Sequence, residues 1–260
     1  MSSILTILRY IYVFHTQLHV SVSLSDAVDS KAAYEKREKR RNIRKLQEAI
    51  DSKDIAAVQD LLKRDFDVDF RYRGQTALQL AVRLGALDIC KLLVERGANV
   101  DEADGELNSL LNTACWNGYE DIAKLLIDNN ANLDSENDAG STSLHACAKK
   151  GHARIARLLV AGNCSLNIPD RLGRTAVLVA AEAGNSEVVA ELVRAGADLD
   201  WVEQHLKTPL MVAADQGFVD IARSLIDGGM MHAMIKNNTM RCLISKFIPG
   251  PWTWSFSLID

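Results

Sequence analysis

Residues 173–184 read Gly-Arg-Thr-Ala-Val-Leu-Val-Ala-Ala-Glu-Ala-Gly. Thr175 stands just ahead of an apolar run and Gly184 closes it, and both ends recur. Thr76, Ser109, Thr142, Thr175 and Thr208 form one column at a spacing of 33 residues, and Gly85, Gly118, Gly151, Gly184 and Gly217 form a second, nine residues later. A fixed period of this length marks an array of one supersecondary unit stacked on itself. Such an array offers a surface and encloses no reaction chamber.

Working outward from the two columns gives each position a task. A hydroxyl before an apolar run is a helix N-cap. Large residues follow at Leu78, Leu111, Leu144, Val177 and Leu210, then small ones at Ala81, Ala114, Cys147, Ala180 and Ala213. Large then small on one face lets a neighbouring helix approach closely. The glycine ends this short first helix, because a residue at positive φ costs least without a Cβ. A second helix carries Ile89, Ile122, Ile155, Val188 and Ile221, each four residues ahead of Leu93, Leu126, Leu159, Leu192 and Leu225. That spacing builds one apolar stripe. Gly97, Asn130, Asn163, Gly196 and Gly229 come four residues after each leucine, where a left-handed C′ residue is wanted. The polar stretch between units, such as 167–174, is too short for a third helix and predicts a β-turn or hairpin.

These residues resemble the ankyrin repeat. Asp170, Gly173, Thr175 and Gly184 match its pattern in one unit, as do Gly140, Thr142, Leu144, His145, Gly151 and His152 in another and Thr208, Pro209 and Leu210 in a third. The resemblance implies an all-α solenoid of helix-turn-helix units joined by β-turn or hairpin loops, and a protein-binding function. Leu107 and Leu206 replace the hairpin glycine, and Leu111-Asn112 replaces the Leu-His pair, so those hairpins are expected to be reshaped.

Domain boundaries follow from where the columns hold. Residues 1–41 read as an N-terminal extension, 42–72 as a degenerate capping repeat with Lys53 at the glycine position, 73–237 as five repeats, and 238–260 as a truncated sixth repeat with an apolar tail. Pro249 and Pro251 stop the helical pattern there. In the extension, Ile4 to Phe14 is apolar but contains Arg9 and is shorter than a spanning helix, so membrane contact through residues 4–14 is not expected. The basic run Lys31 to Lys45 reads as a helix leading into the cap, with nuclear import or phosphate binding as its functional readings.

Composition narrows the chemistry. The 260 residues are 48% hydrophobic and 25% charged with a formal net charge of -4, so no global basic field recruits nucleic acid. The five cysteines are odd in number and fall mostly inside repeats, which predicts buried thiols in a reducing compartment, cytoplasmic or nuclear. No C-x-x-C pair, phosphate loop, G-x-S-x-G or H-E-x-x-H motif is present, so neither a cofactor, a metal nor an enzymatic activity is expected.

In the ankyrin family partners usually meet the concave side, built from hairpin tips and first-helix ends. Carried over, that selects Tyr72, Arg73, Arg83, Trp116, Lys149, Lys150, Arg171, Arg174, Glu182, His205, Lys207 and Asp215. Trp116 is the outlier, since its column otherwise holds Arg83, Lys149, Glu182 and Asp215. Lys149, Lys150, Arg171 and Arg174 form a basic strip beside it, suited to an acidic or phosphorylated segment. The expected protein is a monomeric, non-enzymatic scaffold. The alternatives are an adaptor that brings a substrate to a ubiquitin ligase, kinase or phosphatase, and a peripheral membrane protein that uses Ile4 to Phe14, the basic helix or both.

Overall fold

A computed structural model describes residues 34, 37–64, 67–202 and 207–229. Leu206, His205, the apolar stretch 4–14 and the tail 238–260 lie outside the described residues. Within them the chain is a series of paired helices: α1 (37–51) with α2 (Ile55–Leu62), α3 (Ala77–Arg83) with α4 (Leu87–Glu95), and α5 (Leu110–Asn117) with α6 (Glu120–Asp128). Then come α7 (Ser143–Lys150) with α8 (Ala153–Ala161), α9 (Ala176–Glu182) with α10 (Ser186–Arg194), and α11 (Pro209–Gln216) with α12 (Val219–Asp227). Each pair packs on the next, and buried apolar side chains from Leu46 to Leu225 make one continuous core. The fold is an all-α repeat solenoid.

The hydroxyl column caps as its spacing requires. Thr76 Oγ1 accepts the Gln79 N–H at 3.2 Å, Ser109 Oγ the Asn112 N–H at 3.1 Å and Thr208 Oγ1 the Met211 N–H at 3.3 Å. Each such cap is worth about 1 kcal/mol. Thr175 departs from the rule: its residue starts α9, but its hydroxyl is buried and makes no bond.

The glycine column does two things at once. All five residues take positive φ, between 66° and 82°. In the first four, the missing Cβ also leaves room for the residue that follows the glycine one repeat later. An ideal Cβ on Gly85 would stand 2.9 Å from the Tyr119 ring, on Gly118 2.6 Å from the His152 ring, on Gly151 2.8 Å from Asn185 Oδ1 and on Gly184 3.0 Å from the Phe218 ring. Lys53 keeps the conformation, with φ 55°, and one repeat later the position that elsewhere holds a ring or amide is Ala86. The second helices end as the Gly and Asn column demands, with Asn130 and Asn163 at φ 61° and 64°.

Between the pairs, an Asp or Asn side chain folds three successive hairpins. Asp104 Oδ1 accepts the Glu106 and Asn108 N–H groups, Asn137 Oδ1 those of Ala139 and Ser141, and Asp170 Oδ1 those of Leu172 and Arg174, all at 2.9–3.0 Å. Neighbouring hairpins are then tied edge to edge: the Asp138 N–H donates to Glu106 O at 3.1 Å and the Arg171 N–H to Ala139 O at 3.0 Å. A second rung repeats at the far end of each unit, where Asn99, Asn132, Ser165 and Asp198 donate their N–H groups to Asp69, Asp101, Asp134 and Asn167.

Leu107 corrects one expectation. Its hairpin is not reshaped: Asp104 still donates to Asn108 O at 3.1 Å, and the leucine itself adopts φ 58°, where Gly74, Gly140 and Gly173 stand at 82°, 69° and 78°. The frame is set by the Asp104 side chain and by the neighbouring hairpins, so the leucine yields. A side chain in the left-handed region costs about 1 kcal/mol, and half-exposed Leu107 recovers little of it by packing. Replacing Leu107→Gly is therefore expected to leave stability unchanged or raise it by up to about 1 kcal/mol in denaturant unfolding, the relief of strain being partly offset by the greater freedom of unfolded glycine. A loss of about 1 kcal/mol or more would contradict this reading.

Candidate functional surface

Trp116 lies in the last turn of α5, and Lys149 and Lys150 in the last turn of α7, one repeat further along. Stacking the repeats brings them together. The Lys150 ammonium sits 4.2 Å from the centroid of the indole ring and that of Lys149 5.5 Å, while the ring stays 42% exposed. A cation over an indole face is held by the ring quadrupole with about 0.5–1 kcal/mol at an exposed site. The result is an aromatic platform with two positive charges fixed upon it.

The other expected contact residues sort into separate groups. Arg174 does not extend the basic strip as the sequence suggested. Its Nε and Nη2 donate to Asp170 Oδ2 at 2.9 and 2.7 Å, and its Nη1 to Glu182 Oε2 at 3.1 Å, so its charge and that of Glu182 are answered within the molecule. Burial works to raise the Asp170 carboxyl, but bonds from the Arg174 guanidinium and from the backbone N–H groups of Arg174 and Leu172 outweigh it and hold the carboxyl below its usual range. Lys207 Nζ pairs with Asp215 at 3.2 Å. The Arg73 guanidinium covers the Tyr72 ring at 5.4 Å, Arg83 ends α3 exposed, and Arg171 is exposed at a hairpin tip. His205 falls outside the described residues.

What holds α7 to the next hairpin is His145. Its Nδ1 accepts the Thr142 N–H at 3.2 Å, and its Nε2 donates to Arg174 O at 3.0 Å, which fixes the Nε2–H tautomer. Gln79 does the same work two repeats earlier, accepting the Thr76 N–H at 2.9 Å and donating to Ala103 O at 2.8 Å. Asn112 stands between them in the column and donates to Ser141 O at 3.4 Å. The second histidine, His152, caps nothing with its side chain and fills the space over Gly118.

The four described cysteines are enclosed in the core. Cys90, Cys115, Cys147 and Cys164 are free and buried, and burial pushes the Cys90 and Cys164 thiols up to about 12 and that of Cys115 well above its ordinary value. Neutral, enclosed thiols are poor nucleophiles. Among the described residues no group of three His, Cys, Asp or Glu side chains could hold a metal ion.

The column reading sets the two lysines beside the indole, since adding one period to 116 and 117 lands on Lys149 and Lys150. The capture of Arg174 escapes it, because Glu182 meets it only once α9 has turned back against its own hairpin. Exposed Leu107 and Leu172 also mark the hairpin tips as partly apolar.

Comparison with known proteins agrees with this geometry. A family model of ankyrin repeats matches three overlapping stretches, residues 46–137, 111–201 and 144–237. A solved ankyrin repeat domain from Acinetobacter baumannii AYE superposes with a TM-score of 0.68 and is 30% identical, the match covering 71% of this chain and 97% of that one.

The position of His145 has a pH consequence. Burial lowers its pKa below the ordinary value, against smaller opposing effects of the Arg174 carbonyl and the Asp170 charge. A histidine with a depressed folded pKa favours folding while it is neutral, so its contribution is present above about pH 6.5 and is lost as pH falls through the folded value. His145→Gln keeps both hydrogen bonds in the manner of Gln79 and removes the titration. Its unfolding free energy should therefore fall less than that of the wild type between about pH 6.5 and 5. Equal pH slopes for the two proteins would refute the assignment.

Proposed function

Because this chain belongs to the ankyrin repeat family, whose members generally serve as protein-interaction modules, we propose that it is a non-enzymatic scaffold that binds a protein partner on the face built from hairpin tips and first-helix ends. The observation that supports this most is the platform of Trp116, Lys149 and Lys150. Tryptophan gives a large, rigid contact area and is over-represented among residues that dominate binding energy. The two ammonium groups held over it would neutralise a carboxylate or phosphate carried on the partner beside an apolar side chain. That chemistry points to an acidic or phosphorylated segment.

Preorganisation supports the reading. Hairpin is tied to hairpin and helix to hairpin by the bonds described above, so little ordering cost attends binding. The carboxylates of Asp170, Glu182 and Asp215 are already engaged by Arg174 and Lys207. Lys149 and Lys150 have the indole as their neighbour instead. They therefore carry the positive face that a partner meets.

Affinity capture with quantitative mass spectrometry tests this. Trp116 is largely a surface side chain, so Trp116→Ala should preserve folding and reduce recovery of the specific partners roughly 30-fold, the equivalent of about 2 kcal/mol. Lys149→Glu with Lys150→Glu should reduce the same set. Undiminished recovery of every partner by both variants would exclude this surface.

A further inference from the structure

Helix α1 carries charge that the repeat surface does not use. Arg37, Arg40, Arg41 and Arg44 stand at i, i+3, i+4 and i+7, which places them on one face of a helix, and all four are exposed while Ile43, Leu46 and Ile50 are buried. Tyr34 precedes Arg37 by three residues and is 67% exposed. Arg44 Nε lies 3.4 Å from Glu48, and among the described residues no carboxylate engages Arg37, Arg40 or Arg41. Residues 37–45 hold six basic side chains against Glu38, a net charge of +5 on a chain whose total is -4.

We propose that this arginine stripe docks the protein on a bilayer surface of anionic phospholipid, independently of the partner surface at Trp116. Guanidinium forks suit phosphate oxygens, which they meet with two parallel hydrogen bonds. The stripe exists only because the segment is helical; an extended-peptide reader of the same basic residues would first have to unwind it. Tyr34 adds an amphipathic ring of the kind that settles at headgroup level. A cluster of basic side chains on an amphipathic helix is attracted to an anionic leaflet by about 1 kcal/mol per charge near the surface. The acidic remainder of the chain would oppose the lengthwise phosphate neutralisation from which nucleic-acid affinity comes. Since α1 belongs to the first unit of the array, the stripe can meet a negative plane while the acidic repeats extend beyond it.

Sedimentation of the full chain with vesicles tests the proposal. Vesicles of phosphatidylcholine alone are compared with vesicles containing about 30% phosphatidylserine. Binding is expected to be at least about ten-fold stronger on the anionic vesicles, and to weaken as salt rises. Arg40→Gln with Arg41→Gln removes two exposed charges and should lower partitioning roughly 30-fold with an unchanged unfolding midpoint. Trp116→Ala should bind vesicles as the wild type does, whether or not the partner surface stands. Absence of binding, equal binding to neutral vesicles, or full binding by the double variant would overturn the proposal. Binding of a labelled RNA oligonucleotide in place of vesicles, lost in the same double variant, would overturn it in favour of nucleic acid.

Discussion

The stacking of this molecule depends on glycines in four consecutive units, each of which gives way to a side chain from the next. Gly118 must be glycine for a backbone reason, its φ of 76°, and for a packing reason, the His152 ring lying where a Cβ would go. The same pairing joins Gly85 to Tyr119, Gly151 to Asn185 and Gly184 to Phe218. In a solenoid, where each unit touches only its neighbours, the contact between units is the term that turns marginal helices into a stable fold. Helices of seven to nine residues such as these are far too short to persist alone in water. The glycine contact, the N-cap hydroxyls and the Asp or Asn hairpins set the spacing of everything else.

Surface chemistry follows from that spacing. A period fixed by the glycines puts residue 116 of one unit beside residues 149 and 150 of the next, and a Trp and two Lys at those positions become a single charged aromatic platform. The same regularity brings the Arg174 guanidinium within reach of Asp170 and Glu182, which withdraws it from the surface charge. Identical scaffolding yields a group presented outward in one repeat and a closed ion pair in the following one. Side-chain identity alone decides which.

Much of this was legible in the sequence. The Thr and Ser column, the i, i+4 apolar stripe of the second helices and the Gly and Asn endings are local rules, and each appears in the structure where its spacing put it. What sequence reading missed depends on contacts that exist only once the chain has folded back on itself or on its neighbour. It explained Gly118 by φ alone, because the His152 ring approaches from 34 residues away. It took Leu107 as a sign of a reshaped hairpin, since it could not weigh one residue's strain against the hydrogen bonds that fix the loop. It counted Arg174 as surface charge, since a charge is judged free or bound only when its neighbours in space are known. The binding surface was legible as a set of positions, with Lys149 and Lys150 beside Trp116, and the withdrawal of Arg174 into an ion-paired group was not.

The most direct test of the central constraint is a double-mutant cycle between Gly118→Ala and His152→Ala, read by denaturant unfolding. Two costs fall on Gly118→Ala in the wild-type background, the left-handed conformation and a methyl group driven into the imidazole; only the first, about 1 kcal/mol, remains once the ring is gone. If the glycine contact sets the stacking, Gly118→Ala will cost at least about 1 kcal/mol more with His152 present than with it removed. Equal costs in the two backgrounds would show that the glycine column serves backbone conformation only, and that something else holds the repeats in register.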